Sequence, residues 1–506
     1  MSFCSTRDSS LSFSLDQAVL SGIAPDGGLF FPRSIPTVSK EERATFSQKS
    51  FVDIAETVFS AFAGDTLSSE EIHALMRNTY SQKHFANEHI APVRRFSDNL
   101  FLLELFHGPT GAFKDFALQF LPRLMSLFIA KTDQKHRCVL VATSGDTGGA
   151  ALAGFANVSD TSCVVFFPKG GVSPLQQAQM QSASAANVRT VEIGGDFDMA
   201  QGNLKAIFTD ANFSNTLLSQ YNALLSSANS INIGRLLPQV FYAFAAYAQM
   251  VASGNVYEGE EIDICVPTGN FGDLFAAFLA KQMGLPLKTL ICASNANSTS
   301  AECIRTGVFD VRGRSTKHTL SPAMDILKAS NIERLLFHAS GGNAEQVAQW
   351  ENDLYEKGYF SLDTNTHAYT QKHFDAESVS DAETQEEICL FYKEHAYLPD
   401  PHTAVALRTV RRRSLPRKML VFSTAHYGKF GETVFRALFP HKDIPSTETE
   451  VLEALEKACP NPALPQHFYD VLHAEKVQNT FCRSGKENME VTISEFLSHR
   501  GDAKRR

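Results

Sequence analysis

The chain has 506 residues, 43% of them hydrophobic and 20% charged, a composition that predicts two to four domains and excludes a disordered chain or a small disulfide scaffold. Its 46 Lys+Arg against 55 Asp+Glu give a net charge of −9, which disfavours nucleic acid and anionic membrane as partners. Any anionic ligand must therefore be held by a local site. The nine cysteines form no CxxC pair and no zinc-type cluster, so no metal is expected and a reducing compartment is. No apolar run reaches the roughly 18–20 residues of a membrane span, and the N-terminus carries Asp8 and no basic, apolar leader. These features predict a cytoplasmic protein.

In chain order, residues 1–95 alternate short helical patterns with the turn-rich Ala24-Pro25-Asp26-Gly27-Gly28, and predict an N-terminal domain. From residue 137 onward, strand-like runs alternate with helical patterns: RCVLVA (137–142), SCVVFF (162–167), VRTVEI (188–193), EIDICV (261–266), LKTLIC (287–292) and KMLVFS (418–423). That rhythm predicts an α/β architecture with two parallel sheets, one within 96–255 and a larger one within 256–440. The helical stretch Leu236 to Val251 would cross between them. The polar segment 363–385 reads as an exposed insertion, and 441–506 as a helical extension ending in basic Lys504-Arg505-Arg506.

Three constellations could carry chemistry. ELFHGPTGAFKDFALQFL (104–121) places Lys114 between Phe113 and Phe116 at the start of an apolar helix, where desolvation would lower its pKa and prepare it as an imine-forming nucleophile. Taken singly, it could equally be a snorkelling lysine beside Asp115. SGDTGG (144–149) follows a strand and opens a helix, as a loop that holds a carboxylate or phosphate does, or as a plain tight turn does. PTGNFGD (267–273) has the same setting, and its glycines would let backbone N–H groups converge on a phosphate; the alternative is a strand-to-helix turn with Asp273 as cap. Taken together, a desolvated lysine, a phosphate cradle and a small-anion loop describe a site for pyridoxal 5'-phosphate and an amino-acid substrate.

HGPTGAFKDFALQF resembles the pyridoxal-lysine motif of threonine synthase, SGDTG its substrate loop and PTGNFGD its cofactor-phosphate loop. Further segments agree in order: STR (5–7), APDGGLFFP (24–32), SPLQQAQM (173–180), NSINIGR (229–235), TLSPAMDI (319–326), NIERLLF (331–337), DPHTAV (400–405) and STAHYGKF (423–430). The pattern spans most of the chain and looks most like the longer, fungal-type branch. The resemblance implies the fold-type-II pyridoxal phosphate architecture, similar to the tryptophan synthase β chain: two three-layer αβα subdomains plus the N-terminal domain. The implied reaction converts O-phospho-L-homoserine and water to L-threonine and phosphate, in a monomer or homodimer. Lys114 would form the Schiff base and shuttle protons, with Phe113 beside the cofactor. Gly269, Asn270, Phe271, Gly272 and Asp273 would hold the cofactor phosphate, and Thr424 the pyridine nitrogen. Ser144, Asp146, Thr147 and Gly148 would meet the substrate carboxylate or the cofactor's phenolic oxygen, and Asn232 and Arg235 the substrate phosphate.

His107 and His426 flank these motifs, more as hydrogen-bonded structural groups than as acids or bases. Four departures from the family pattern stand out. Gly171 replaces a usual cation before SPLQ, with Lys169 as a substitute. Gly111 replaces a larger apolar residue and should loosen packing beside the lysine. Pro122 should kink the helix after Lys114. Asn295-Ala296-Asn297-Ser298 lacks an expected carboxylate. Two competing readings follow: a phospholyase that releases a keto acid and ammonia, and a non-catalytic cofactor-binding relic. The first differs in its products, the second in having none.

Overall fold

The computed structural model describes residues 1–143 and 145–503; the expected substrate contact Ser144 and the basic tail Lys504 to Arg506 lie outside the described residues. In chain order the strands are β1 (Phe3–Ser5), β2 (Phe30–Pro32), β3 (Val93–Arg95), β4 (Leu100–Glu104), β5 (His136–Ala142), β6 (Thr161–Pro168), β7 (Val188–Ile193), β8 (Ala223–Ser227), β9 (Ile262–Pro267), β10 (Leu287–Ser294), β11 (Val308–Asp310), β12 (Tyr359–Ser361), β13 (Phe374–Ser378), β14 (Met419–Ser423) and β15 (Thr480–Cys482). A five-stranded sheet has the order β15-β7-β6-β5-β8 with every pairing parallel. A six-stranded sheet has the order β13-β10-β9-β14-β4-β3, parallel except where β3 joins β4.

Strand periodicity explains why both sheets are covered on both faces. In β5 and β6, Val139, Val141, Val165 and Phe167 pack into the central core, while Cys138, Leu140, Val164 and Phe166 pack into a separate cluster on the other side. In the larger sheet Ile264, Val266, Leu420 and Phe422 face the central core, and Cys265, Met419 and Val421 face away into a third cluster. Successive side chains point to opposite faces, so continuous apolar runs demand helices on each side. The result is two three-layer αβα units.

All six runs expected as strands are strands. The sheets, however, do not follow the chain divisions at 96, 256 and 441. β4 precedes Lys114 in sequence yet pairs with β14, from Met419↔Leu100 to Ser423↔Glu104, in the larger sheet. β15 lies in the stretch expected to be only helical, and its parallel pairing with β7 extends the smaller sheet. The segment 363–385 is not an exposed insertion: it contains the helix Thr364–His373 and the edge strand β13, paired with β10 from Leu290↔Phe374 to Ser294↔Ser378. Its polarity misleads because an edge strand buries few side chains, here Phe374 and Ala376.

The crossing helix is Ile233–Ala252, apolar all round and buried along most of its length. It packs against the N-terminal helix Phe51–Ala63 and the helices Lys114–Lys131 and Gly272–Gln282. Phe51–Ala63 starts at a reciprocal Ser50/Asp53 capping box and buries Ile54, Ala55, Val58, Phe59 and Phe62 at helical spacing. Phe59 meets Phe120 edge-on at 5.1 Å and Phe241 at 6.2 Å, so the N-terminal residues share the central core. Among the described residues no helix is long and apolar enough to cross a membrane.

Candidate active site

A cleft of about 1890 Å³ opens at the carboxyl ends of β5, β6, β8, β9 and β14. Parallel α/β sheets place ligands at that edge because loops and helix N-termini converge there. Phe113, Lys114, Asp146, Thr147, Arg235, Gly269 to Asp273 and Thr424 all line it. Of the fourteen sites expected from sequence, the described ones that do not line it are Gly148 and Asn232.

The Lys114 loop is stitched to the end of β14. Phe113 N–H donates to Thr424 O at 2.8 Å, His426 N–H donates to Gly111 O at 2.9 Å, and Ala112 bridges Ala425. These bonds hold the backbone of Thr424 against that of the residue before Lys114. Inside the loop the buried Asp115 carboxylate accepts from Thr110 N at 2.9 Å and Thr110 Oγ1 at 2.7 Å, and burial pushes its pKa up to about 6 against the pull of Lys429 and Thr110. Gly111 (φ 73°) does not loosen the packing. A Cβ there would lie 2.5 Å from the Phe468 ring, so an aromatic from the C-terminal helix Gln466–His473 already fills the space. The helix that follows runs unbroken from Lys114 to Lys131 with Pro122 inside it.

Lys114 Nζ donates to Asp146 Oδ2 at 3.3 Å and lies 5.4 Å from the Phe113 ring centre, with its side chain 12% exposed to the cleft. Burial lowers its pKa; Asp146 pulls it back up, and Arg235 and Lys429 push it down further. Asp146 also accepts from Gln176 Nε2 at 2.8 Å and pairs through Oδ1 with Lys429 Nζ at 3.0 Å. Burial would raise the Asp146 carboxyl, but Lys429 and Lys114 hold it well below the usual carboxylate range.

Backbone N–H groups in the 145–148 loop are partly consumed. The Thr143 hydroxyl accepts from Gly145 N at 3.0 Å and from Gly148 N at 3.1 Å. Gly148, which does not line the cleft, is tightly packed: a Cβ would lie 2.5 Å from Thr143 Cγ2 and 2.6 Å from Met180 Sδ. Asn232 is likewise off the cleft lining, its side chain bonded within the protein. It is fully buried, donates to Val19 O at 3.0 Å and Ser227 O at 3.1 Å, and accepts from Gly234 N, which caps the crossing helix.

The second loop leads into the helix Gly272–Gln282, whose first-turn N–H groups have no intrahelical partner and whose dipole favours an anion. Phe271 holds the left-handed conformation at φ 67°, an uncommon conformation for a bulky residue and one that turns the loop. The loop is clamped from outside: Asn331 donates to Asn270 O from both its backbone (3.1 Å) and side chain (3.0 Å). A Cβ on Gly269 would lie 2.8 Å from Ala323 O. Ala323 N–H donates to His402 Nε2 at 3.1 Å, and His402 Nδ1 pairs with Asp400 at 2.7 Å. With Nε2 accepting, the proton must sit on Nδ1, so this histidine is a brace.

Asp273 accepts a bond from the Tyr242 hydroxyl, and burial raises its pKa from 3.8 to about 7, against the opposing pull of Tyr242, Arg235 and Lys114. Its folded pKa lies above its unfolded one, so between about pH 4 and pH 7 the folded state keeps a proton the unfolded state has lost. Stability should therefore fall as pH rises through that window, by at most about 4 kcal/mol. The expected result is that cofactor-free Asp273→Asn loses less melting temperature than wild type between pH 5 and pH 8. Parallel declines in the two proteins would show that Asp273 is ionised throughout.

Arg235 is 3% exposed; its Nη1 donates to Ala228 O at 2.9 Å, and its Nε has no hydrogen-bond partner among the described residues. Burial pushes its pKa down to about 10, with Asp273 and Tyr242 pulling the other way. Gln239, one turn further along, has an unpartnered Oε1 beside Gly272. Both residues line the cleft, and a buried polar atom without a partner calls for one.

Other expectations resolve differently. His107 bonds Glu104 at 2.8 Å outside the cleft; His426 accepts from Gly428 N and is held neutral by burial at about 3. Both are structural. Lys169 lines the cleft beside Gly171, its side chain 74% exposed and its Nζ 3.9 Å from Glu192. A carboxylate does stand beside Asn295 and Asn297: both donate to Asp325 Oδ1, at 2.9 and 3.1 Å, from the TLSPAMDI segment.

A lysine amine facing an interdomain cleft, a helix-terminal anion cradle across from it and a hydroxyl at the adjoining strand end fit pyridoxal phosphate and define a fold-type-II pyridoxal-phosphate enzyme. Residues 84–424 match the family described as pyridoxal-phosphate dependent enzyme, and residues 2–80 match "Threonine synthase N terminus". The chain belongs to the threonine synthase family. It is 36% identical over 507 residues to human threonine synthase-like 1, covering 98% of this chain and 67% of that one, so it spans about two thirds of that relative's length. The fold matches pyridoxal-phosphate-bound threonine synthase from Brucella melitensis with a TM-score of 0.86 at 33% identity, covering 98% of this chain and 99% of that one. The yeast threonine synthase structure matches at 0.87, again at 33% identity with coverage of 98% and 99%. Equal identity to a bacterial and a fungal protein does not single out the fungal-type branch.

Proposed function

We propose that this protein is a threonine synthase, converting O-phospho-L-homoserine and water to L-threonine and phosphate. The observation that carries the reading is the pairing of Lys114 with a second, separate anion position at Arg235. A substrate phosphate needs its own cation once the Gly269 to Asp273 cradle holds the cofactor's, and Arg235 lines the same cleft with an Nε that has no hydrogen-bond partner among the described residues.

Pyridoxal phosphate, when bound, supplies a carbonyl for an amine and a conjugated ring that withdraws electrons from the substrate's α-carbon. The chain's own residues do the rest. Lys114 Nζ takes and returns protons at the substrate carbons that face it, and Asp146 keeps that amine aimed. The Thr424 hydroxyl, on a residue whose backbone carbonyl accepts from Phe113 N–H, would bond the ring nitrogen, and as a neutral partner it would leave that nitrogen unprotonated. Asp146 and Thr147 line the substrate side. Phe113 and Phe271 narrow the cleft with apolar surface and limit water at the reacting carbons.

The test is incubation of the holoenzyme with O-phospho-L-homoserine, scoring threonine and phosphate separately. Stoichiometric threonine and phosphate are expected. Phosphate with a keto acid and ammonia in place of threonine would identify a phospholyase, and no turnover would identify a cofactor-binding relic.

A further inference from the structure

The motif that carries Thr424 also carries a buried charge, Lys429. Lys429 is 0% exposed, does not line the cleft, and follows the β14 strand end in STAHYGKF. Burying an ammonium is costly unless it is paired and hydrogen-bonded. Here the Nζ donates to Thr110 O at 2.6 Å and Gln179 Oε1 at 3.2 Å, and pairs with Asp146 Oδ1 at 3.0 Å. It thereby ties together the loop before Lys114, the helix Pro174–Gln181 and the first turn of the helix Asp146–Phe155.

The geometry divides one carboxylate between two lysines. Oδ1 faces Lys429 and Gln176, and Oδ2 faces Lys114 at the longer distance of 3.3 Å. We propose that Lys429 is a positioning residue for Lys114: it aims the Asp146 carboxylate and competes for its charge, so that Lys114 is left weakly paired and readily gives up its proton. An amine must be unprotonated to attack a carbonyl, so this sharing prepares Lys114 for the cofactor. The inference rests on the proposed role of Lys114.

The other charged groups facing Lys114 are Arg235 from the crossing helix, which also disfavours its proton, and Asp273 from the cradle helix, whose pKa burial raises to about 7. Asp115, its neighbour in sequence, is turned to Thr110. His402 faces Asp146 with its pyridine-type nitrogen already accepting from Ala323. Among these, Lys429 alone touches the same carboxylate as Lys114.

The experiment uses the full-length chain freed of cofactor and reads reductive methylation of Lys114 by formaldehyde and cyanoborohydride across pH, by peptide mass spectrometry. Only the neutral amine reacts. In Lys429→Met, Asp146 has Lys114 as its sole lysine partner, and labelling at neutral pH should slow roughly tenfold. In Asp146→Asn the counter-ion is lost and labelling should speed up. Opposite directions distinguish charge sharing from simple loosening of the loop, which would speed both. If Lys429→Met does not fold, Lys429→Met on the Asp146→Asn background removes both buried charges together; with no carboxylate left to share it should label like Asp146→Asn alone, and a large further change would show that Lys429 does not act through Asp146. Unchanged profiles, or shifts in the same direction in the two single variants, would overturn the proposal. The readout needs no cofactor, so its failure is separable from failure of Lys114 to take up pyridoxal phosphate, which borohydride trapping in the wild type reports.

Discussion

Lys114→Ala is expected to abolish covalent retention of the cofactor and to lower turnover by about a thousandfold or more. Wild-type protein should be yellow, lose its visible band on borohydride reduction, and carry the reduced cofactor on the peptide containing Lys114. The alanine variant should be colourless after gel filtration. The structure also indicates that the variant keeps its fold. Asp146 would lose one cation but retain Lys429 at 3.0 Å and Gln176 at 2.8 Å, so no buried carboxylate is stranded. Loss of activity together with an unchanged melting curve is the full expected result. Turnover within tenfold of wild type would remove Lys114 from the chemistry.

Arg235→Ala should raise KM for the phosphorylated substrate by about a hundredfold, while cofactor affinity changes only a few-fold. Charge-assisted bonds to a phosphate contribute about 1.5–3 kcal/mol each, and the guanidinium can offer two. The protein itself loses little, because among the described residues the Arg235 guanidinium makes one hydrogen bond to the chain, to Ala228 O, and its Nε has no partner. Equal losses of cofactor and substrate binding would assign Arg235 to the cofactor phosphate, and a fall in stability without either would make it a core residue.

Both expectations come from motifs visible in the sequence, and both acquire their meaning from contacts that are not. Lys114 stands out among Phe113 and Phe116, yet nothing local says that Asp146, thirty-two residues later, is its partner. The glycine-rich loops were legible as strand-to-helix turns with an anion-binding shape, because glycine spacing and the strand before each loop are local properties. Which loop N–H groups stay free was not legible. Thr143 consumes those of Gly145 and Gly148, and Asn232 spends its amide on Val19, more than two hundred residues away.

The residues that sequence reasoning overlooked have a common character. Lys429, His402, Asp325 and Phe468 act on the site through another residue or from another element. His402 braces the turn beside Gly269, Asp325 receives Asn295 and Asn297, and Phe468 fills the space at Gly111. A signal for Lys429 did exist: a lysine two residues beyond Tyr427, in a small and apolar run just after a core strand, is hard to bring to solvent.

The sequence by itself determined the two sheets, the buried crossing helix, the lysine and the anion-shaped loops, because alternating or continuous apolar runs and glycine spacing act over a few residues. The tertiary structure decided which strands share a sheet, so that β4 reaches across to β14 and the end of β14 can carry both Thr424 and the anchor for Lys114. It also decided how charge is divided at the site. Pairing energies between buried groups depend on distance and dielectric, and those are set only when segments far apart in the chain are packed together.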